Sequence, residues 1–491
     1  MRRSAILSTA GFALLLAIGL LRHEMWRDEL QAWMLARASP SLPALFANLR
    51  YEGHPALWHL LLLPLAHLFS RPEVMQVLHW AVATLGAALF LRWAPFALPL
   101  RLAFVAGYLP LYEYGVISRN YALALPLLWL CCHLWERRPR PWVALGGALA
   151  LLANTNPYAW LLAAALLATL LLTTAGNGEQ RQAAAQAPLP AAGGLLLALA
   201  GLGAALAQMR PPADAFYAGA FVTWWPPRLW RALGTALVGY LPLPDWRTVT
   251  PWNSALVFRL PAPLLAALAV VWLATAFVLL GRSRAARLLF LLGAGSLLSF
   301  TYFEYIGWAR HHGHHFLLFV ACCWLAAAEE LGGGGWRARA RTAALAALLL
   351  VHLATAVWFY GADLERPFSD AAATARRLGQ PPLAGLPRVG YPDPTLVAVG
   401  AYLGEPVESL ATGRPVTFVV WHAGGDPHLL PAEVCARLLT RTRAAAGPLA
   451  FVAPRSAFPA DCPGLLAARV GSAPLPLVPS ERLATWRVTA Q

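Results

Sequence analysis

WRDELQAWMLARASPSLPALFANLRYEGHPALWH, residues 26–59, lies between the first hydrophobic segment of the chain and the next one. Its apolar residues, such as Leu30 and Trp33, recur at three-to-four-residue spacing, which predicts a helix with one apolar face. Two acids, Asp28 and Glu29, fall in the first turn of that helix. Acids in a first turn offset the helix dipole, but charges beside membrane-embedded sequence are costly and need a local reason. The acid pair therefore has both a structural and a catalytic interpretation.

The composition indicates a polytopic α-helical membrane protein. The 491 residues are 59% hydrophobic and 12% charged, and the mean hydropathy is +0.54. Uncharged runs close to the roughly 20 residues needed to cross a bilayer recur along the chain. The run 56–69 is shorter and contains a proline, so it predicts a helix half-sunk in the outer leaflet. The predicted spans, about eleven in number, are 4–21, 74–92, 100–117, 120–135, 141–156, 158–174, 189–209, 255–280, 286–303, 313–328 and 342–360.

The basic residues constrain both orientation and partners. All 38 are arginine, and they are scattered through the loops, which argues against nucleic-acid binding. Without lysine, recognition of a phosphate would fall to arginine's planar fork or to histidine. The arginine content of alternate loops predicts a cytoplasmic N-terminus. An odd number of crossings then places the C-terminus outside the cytoplasm.

A drop in hydrophobicity near residue 361 predicts two domains. Residues 1–360 form the transmembrane domain, whose first outer loop is 22–73, and residues 361–491 form a small extracytoplasmic α/β domain. Its two cysteines, Cys435 and Cys462, either form a disulfide or are unrelated. The predicted strands are 388–391, 416–421 and 448–453, and the predicted helices are 369–378, 396–403 and 432–443.

Polar clusters recur at the predicted outer ends of the spans. Glu113 lies between two tyrosines shortly before Arg119, and Arg310 opens a run of four histidines. The segment 154–158 adds two asparagines to the same face. Packing alone poorly explains acids, arginines and histidines converging at one membrane face, so we expect a site there.

The order of these motifs resembles the GT-C superfamily of glycosyltransferases that use polyprenyl-phosphate sugars. Its members include protein O-mannosyltransferases, the aminoarabinose transferase of lipid A and lipopolysaccharide galacturonic acid transferases. Such relatives commonly carry an acid two residues before the arginine of the fourth span; here that position is Ile117, and Glu113 is the nearest replacement. The motifs that carry the resemblance are Arg27-Asp28-Glu29, Gly53-His54-Pro55 and Ser118-Arg119-Asn120-Tyr121-Ala122.

The resemblance implies transfer of a hexosyl or pentosyl group from a polyprenyl phosphate to a glycolipid, polysaccharide or protein. The reaction would take place on the outer face of a bacterial inner membrane, in lipopolysaccharide or protein glycosylation. A carboxylate would take the acceptor's proton and cations would stabilise the departing phosphate. We assign Asp28 as the general base and Glu29 as the neighbour that orients the base or the acceptor. The substrate-binding candidates are Glu52, His54, Glu113, Arg119, Tyr121, Arg310 and His311.

A divalent metal is the one cofactor that the sequence suggests. His312, His314 and His315 are candidate ligands, with Glu52 and Glu113 as carboxylate partners, although their spacing is not a recognised metal motif.

Two functions of other classes compete with the transferase. A secondary transporter would use charges along a substrate path, but such proteins usually contain internal repeats. A membrane sensor or assembly protein would use the outer domain to bind a partner.

Overall fold

The computed structural model describes residues 2–216, 225–248, 252–329, 335–425, 429–458, 462–471 and 475–491. Helices dominate the first three quarters of the chain. In order, they are α1 (Arg2–Arg22), α2 (Arg27–Arg37), α3 (Leu42–Asn48), α4 (Leu57–Leu68), α5 (Val74–Trp93), α6 (Leu98–Val105), α7 (Tyr121–Glu136), α8 (Trp142–Ala153), α9 (Pro157–Ala175), α10 (Gly178–Ala185), α11 (Pro188–Met209), α12 (Pro226–Tyr240), α13 (Ala262–Leu279), α14 (Arg284–Phe303), α15 (Ala309–Glu329), α16 (Trp336–Glu365), α17 (Ala371–Leu378), α18 (Asp393–Leu403) and α19 (Pro431–Ala444).

Seven helices of the described chain are long and apolar enough to cross a membrane: α1, α5, α9, α11, α13, α14 and α16. Each coincides with a predicted span. The four other predicted spans fall on α6, α7, α8 and α15, which are shorter or less apolar. The fold is therefore that of an integral membrane protein, as predicted, while the count of eleven crossings stays a prediction.

The predicted span 100–117 is not one continuous helix. α6 ends at Val105, and a wide π-helical turn, Tyr108–Glu113, follows it. Pro110 lies inside this turn and has no backbone N–H to donate, which disfavours a regular α-helix there. The break directs the chain back towards the start of α7.

Two helices approach each other closely through glycine. α8 and α11 pack so tightly that a Cβ added at Gly146 would stand 2.0 Å from the carbonyl oxygen of Gly194. Small residues of this kind allow membrane helices to gain dispersion contacts along their backbones. α15 lies at the centre of the helical part, and its residues 309–326 are all buried.

The C-terminal part contains a six-stranded mixed sheet with strand order β3-β2-β1-β4-β6-β5. β1 pairs in parallel with β2 and β4, and the other pairs are antiparallel. The strands are β1 (Arg388–Gly390), β2 (Val407–Ser409), β3 (Pro415–Val416), β4 (Leu449–Pro454), β5 (Leu465–Val470) and β6 (Leu483–Ala490).

Helices pack on both faces of the sheet. This is required because successive apolar side chains of β4 point to opposite faces and each must be buried. Phe451 points into a core shared with α19, whereas Val452 points into a core shared with α18 and α2. A disulfide joins Cys435 to Cys462, whose Cα atoms are 5.3 Å apart. Because α2 contributes Leu30 to the second core, it lies directly between the membrane helices and the sheet.

The predicted strand 416–421 is largely wrong. β3 ends at Val416, and the chain then leaves the sheet and runs to α2. There the side chain of Gln31 hydrogen-bonds both the N–H and the carbonyl of Val419, at 2.9 Å and 2.8 Å. These bonds replace the ladder bonds that a neighbouring strand would have made.

Candidate functional site

Three helix starts meet at one end of the helical part and bring together an acid and two arginines. Asp28 in the first turn of α2 accepts hydrogen bonds from Arg119 at 2.6 Å and from Arg310 at 3.1 Å. Burial alone would raise the pKa of Asp28, but the positive charges of Arg119 and Arg310 outweigh it and hold this pKa below its usual value. The side chain of Asp28 remains 28% exposed, so an ionised carboxylate faces open space.

Glu29, the neighbour of Asp28, points the other way and is completely buried. Its carboxylate accepts from the backbone N–H of Ser118 at 2.6 Å and of Trp26 at 3.1 Å, and it lies 2.9 Å from His23. The bond from Trp26 caps the start of α2. The bond from Ser118 fixes the residue next to Arg119. Glu29 therefore positions the two chain segments that carry the Asp28–Arg119 pair.

His23 extends this buried network to the end of α16. Its second ring nitrogen lies 2.7 Å from Asp363. Burial opposes protonation, but the two carboxylates raise the pKa of His23 to about 10. The positive imidazole thus offsets part of the negative charge of Glu29 and Asp363, because two buried acids without a cation would be very costly.

Arg310 is held between two indole rings. Its guanidinium carbon lies 5.9 Å from the ring centre of Trp26 and 5.8 Å from that of Trp252, a distance at which cations and aromatic faces attract. Within the described residues, its Nε–H has no hydrogen-bond partner. Arg310 therefore has a fixed orientation and a spare donor beside Asp28.

Glu52 and His54 form a second polar wall. They flank Gly53, whose φ of +64° favours glycine and turns the chain between them. Burial raises the pKa of Glu52 to about 7, although a hydrogen bond of 2.7 Å from Gln31 acts in the opposite direction. Burial, together with the positive charge of Arg119, lowers the pKa of His54 to about 3, so this imidazole is neutral at pH 7.

Tyr121 and His311 meet behind the arginines. The backbone N–H of Trp308 donates to Nδ1 of His311 at 2.8 Å, so the ring proton lies on Nε2. Nε2 in turn lies 2.8 Å from the Tyr121 hydroxyl and donates to it. His311 thereby fixes the position of Tyr121, whose ring lies 5.7 Å from the guanidinium carbon of Arg119.

A cavity of about 920 Å³ connects these groups. Asp28, Arg119 and Arg310 line one part of it, and α9 and α11 line another with apolar side chains such as Trp160 and Leu206. The C-terminal part of the chain also reaches the cavity through Pro394, Val419 and Trp421. The cavity therefore has a charged end, a hydrophobic side and a wall from the sheet region.

The structure brings together most, but not all, of the predicted site residues. Asp28, Glu52, His54, Arg119, Tyr121, Arg310 and His311 line the cavity. Glu29, Glu113, His312, His314 and His315 do not line it.

Two more of the residues that lie outside the cavity have hydrogen-bond partners elsewhere. Glu113 accepts hydrogen bonds from Tyr108 at 2.6 Å and from Trp252 at 3.1 Å. His314 lies 3.1 Å from the carbonyl of His311 on the same helix. Among the described residues, no three histidine, cysteine or acidic side chains are grouped closely enough to hold a metal ion. The predicted metal set of α15 is therefore not assembled in this part of the chain.

Three residues that were not predicted contribute to the site or its surroundings: Gln31, Trp421 and Trp252. Gln31 follows Asp28 by three residues, a spacing that puts it on the same face of the helix as Asp28. That signal was present in the sequence. Trp421 and Trp252 carry no local signal, because only the folded chain brings Trp421 to the cavity and Trp252 to Arg310.

Comparison with solved structures identifies the fold. No protein-family model and no curated protein sequence matches the chain. The crystal structure of ArnT from Cupriavidus metallidurans bound to undecaprenyl phosphate is similar over 98% of this chain and 97% of that one, with a TM-score of 0.55 and 12% identity. The chain therefore has an ArnT-like fold, as predicted.

Two further similarities are weaker. The apo state of the same ArnT aligns with a TM-score of 0.44 and 14% identity over 98% of this chain and 97% of that one. The arabinofuranosyltransferase AftD from Mycobacteria aligns with a TM-score of 0.41 and 14% identity, over all of this chain and 40% of that one. At such scores these two alignments establish nothing further.

Proposed function

We propose that this protein is a glycosyltransferase that moves a hexosyl or pentosyl group from a polyprenyl phosphate to an acceptor hydroxyl. One observation carries the proposal: a single cavity joins the Asp28–Arg119–Arg310 cluster to an apolar wall from α9 and α11. A polyprenyl phosphate has the same two parts, an anionic head and a long hydrocarbon chain. The undecaprenyl phosphate bound to the similarly folded ArnT supports this assignment.

The arginines suit the departing group. During transfer the bond between the anomeric carbon and the phosphate oxygen breaks, and its electron pair leaves with the phosphate. The head group then gains negative charge, which the guanidinium groups of Arg119 and Arg310 stabilise. The spare Nε–H of Arg310 supplies a donor that Asp28 does not occupy. His54 is neutral, so it acts here as a hydrogen-bonding group rather than as a cation.

Asp28 suits the acceptor's proton. The acceptor oxygen forms the new bond to the anomeric carbon, and its proton passes to the Asp28 carboxylate. Before the donor binds, both arginines hold Asp28 ionised. An entering phosphate competes for the same donors, so Asp28 loses part of its counter-charge and becomes more basic when the base is needed. Glu29 takes no part in the chemistry and keeps the role of a positioning residue.

We place the reaction on the outer face of a bacterial inner membrane, with the N-terminus in the cytoplasm and the sheet region outside. The alternation of arginine-rich loops supports this orientation. The acceptor class remains a glycolipid, a polysaccharide or a protein of the cell envelope. The transporter and sensor interpretations explain the paired charges less well, because the cluster lies at helix starts beside an apolar wall from α9 and α11 rather than along a path.

Release of the carrier tests the proposal. Purified protein in liposomes is given radiolabelled polyprenyl-phosphate sugar and an extract of envelope glycolipids. We expect free polyprenyl phosphate to appear together with labelled glycolipid. The matched control replaces both Arg119 and Arg310 by glutamine and should abolish release. Movement of the intact donor across the bilayer without release would contradict the proposal and favour transport.

A further inference from the structure

The segment 417–423, which we name the strap, connects the sheet region to the cavity. The side chain of Gln31 holds its middle through both backbone groups of Val419. On its other side, the backbone N–H of Phe216 donates to the carbonyl of Trp421 at 2.9 Å. The strap is thus held in place by hydrogen bonds to α2 on one side and to the loop after α11 on the other.

Trp421 is the residue of the strap whose side chain is placed against the cavity. Phe418 and Val419 pack against hydrophobic clusters, but Trp421 belongs to none of the clusters formed by the described residues. Instead its partly exposed ring lines the cavity together with Glu52, and its proximity acts to lower the pKa of that carboxyl group against the larger effect of burial. Core packing therefore does not explain the position of this side chain.

The other walls of the cavity already have ligands in the proposed reaction. The arginine pair takes the phosphate, and the apolar wall takes the prenyl chain. The wall that remains combines an aromatic ring with two polar side chains, Glu52 and Gln31, which are hydrogen-bonded at 2.7 Å. A sugar ring has matching chemistry, because one face presents C–H groups and its edge presents hydroxyls. The C–H groups pack on the electron-rich face of an aromatic ring, and hydroxyls bond to carboxylate and amide groups.

We propose that Trp421 and Glu52 form the binding subsite for a sugar ring of the acceptor, so that the acceptor is a carbohydrate. This inference rests on the proposed function, since it divides the cavity between donor and acceptor. Trp421 contacts the acceptor's C–H face, and Glu52 and Gln31 bind its hydroxyls. The sheet region thereby contributes Trp421 to acceptor binding, while the membrane helices bind the donor.

Binding of small glycosides tests the subsite without turnover. The full chain in lipid nanodiscs is mixed with methyl glycosides of glucose, galactose and mannose, and saturation-transfer NMR detects contact with the sugar C–H groups. We expect a signal for at least one glycoside in the wild type and a roughly fivefold to tenfold weaker signal in Trp421→Ala. Trp421→Phe should retain most of it. The control Trp336→Ala removes an exposed indole at the far end of α16 and should leave the signal unchanged.

Other outcomes overturn the inference. No signal in the wild type, or an equal signal in Trp421→Ala, means that no sugar ring binds on this indole. If Trp421→Ala is unstable, Trp421→Leu keeps the apolar bulk without an aromatic face and decides the same question. A tryptophan that contacts the donor's sugar instead would change the ratio of affinities for sugar-loaded and bare polyprenyl phosphate. An altered ratio in either variant therefore also contradicts the acceptor assignment.

Failure of the proposed function has a different signature. In that case the wild type would not bind bare polyprenyl phosphate or release it from the donor, whatever the glycoside signal. Wild-type binding and release of the carrier, with glycoside contact independent of Trp421, would remove only the acceptor subsite.

Discussion

Replacing Asp28 by asparagine separates its proposed role as base from a purely structural role. Asparagine keeps the size of the side chain and can still accept hydrogen bonds from Arg119 and Arg310, but it cannot take a proton at neutral pH. We expect kcat to fall by about 100-fold or more, which corresponds to about 2.7 kcal/mol of transition-state stabilisation. The assay is release of radiolabelled product at saturating donor, with folding checked by the melting temperature.

Donor affinity gives the second part of this prediction. In the structure, Arg119 and Arg310 each donate a hydrogen bond to Asp28, at 2.6 Å and 3.1 Å. Bonds to a charged group are worth about 1.5–3 kcal/mol each, so removal of the competing charge leaves the arginines freer for phosphate. We therefore expect the Kd for polyprenyl phosphate to stay equal or to fall. A rise in Kd with an unchanged kcat would refute the reasoning, because Asp28 would then serve only to hold the arginines.

The pH dependence of kcat/KM adds a control, since it reports the free enzyme. Asp28 has a lowered pKa and stays ionised around neutral pH, so a base at this position gives no step in kcat/KM near neutrality. Glu52 has a pKa of about 7, so it is protonated below that pH and can accept a proton only above it. Two results together would assign the base role to Glu52 instead. The wild-type kcat/KM would fall tenfold per pH unit below pH 7, and Glu52→Gln would lose both this pH dependence and most of the rate.

Three further predictions concern the donor site, the helix packing and the topology. Arg310→Gln should weaken binding of polyprenyl phosphate by roughly 10- to 150-fold, the equivalent of one charged hydrogen bond, and unchanged affinity in a direct binding assay would count against the phosphate site. Gly146→Leu should lower the yield and melting temperature of the protein, because a Cβ there meets the backbone of α11 at 2.0 Å, whereas Gly147→Leu on the same helix has open space and should be tolerated; equal behaviour of the two would contradict the close approach. In intact cells, an impermeant thiol reagent should label Cys435 and Cys462 only after reduction of their disulfide, whereas labelling that needs a permeabilised membrane would place the sheet region in the cytoplasm.

The hydrophobic pattern predicted most of the helical framework. The predicted spans 74–92, 158–174 and 189–209 differ by one residue at most from the ends of α5, α9 and α11. Spans are predictable because burial in lipid demands a continuous run of apolar residues, which is a local property of the sequence. The span 100–117 failed for a local reason as well, since its internal proline and glycine favour a broken helix.

The site was predictable where residues lie at the start of a helix. Asp28 and Arg119 each open an apolar segment, and a charge in such a place indicates function. The pairing of Asp28 with the two arginines was not determined by local sequence. Arg119 lies 91 positions and Arg310 lies 282 positions away from Asp28 along the chain. Sequence was also insufficient for Glu29. Its place beside Asp28 suggested a catalytic role, whereas in the structure it is buried and accepts a hydrogen bond from Ser118, which is a positioning contact.

The amino-acid sequence by itself determined that this chain is a bundle of membrane helices with an α/β region after it, and it determined which helix starts carry charge. Only the tertiary structure decided which of those charges meet, which histidines lie outside the cavity, and that the strap brings Trp421 to the membrane helices. The reason is physical. Hydropathy and helix periodicity depend on neighbours within one or two turns, whereas the Gln31–Val419 hydrogen bonds join residues 388 positions apart and form only when the sheet packs on α2.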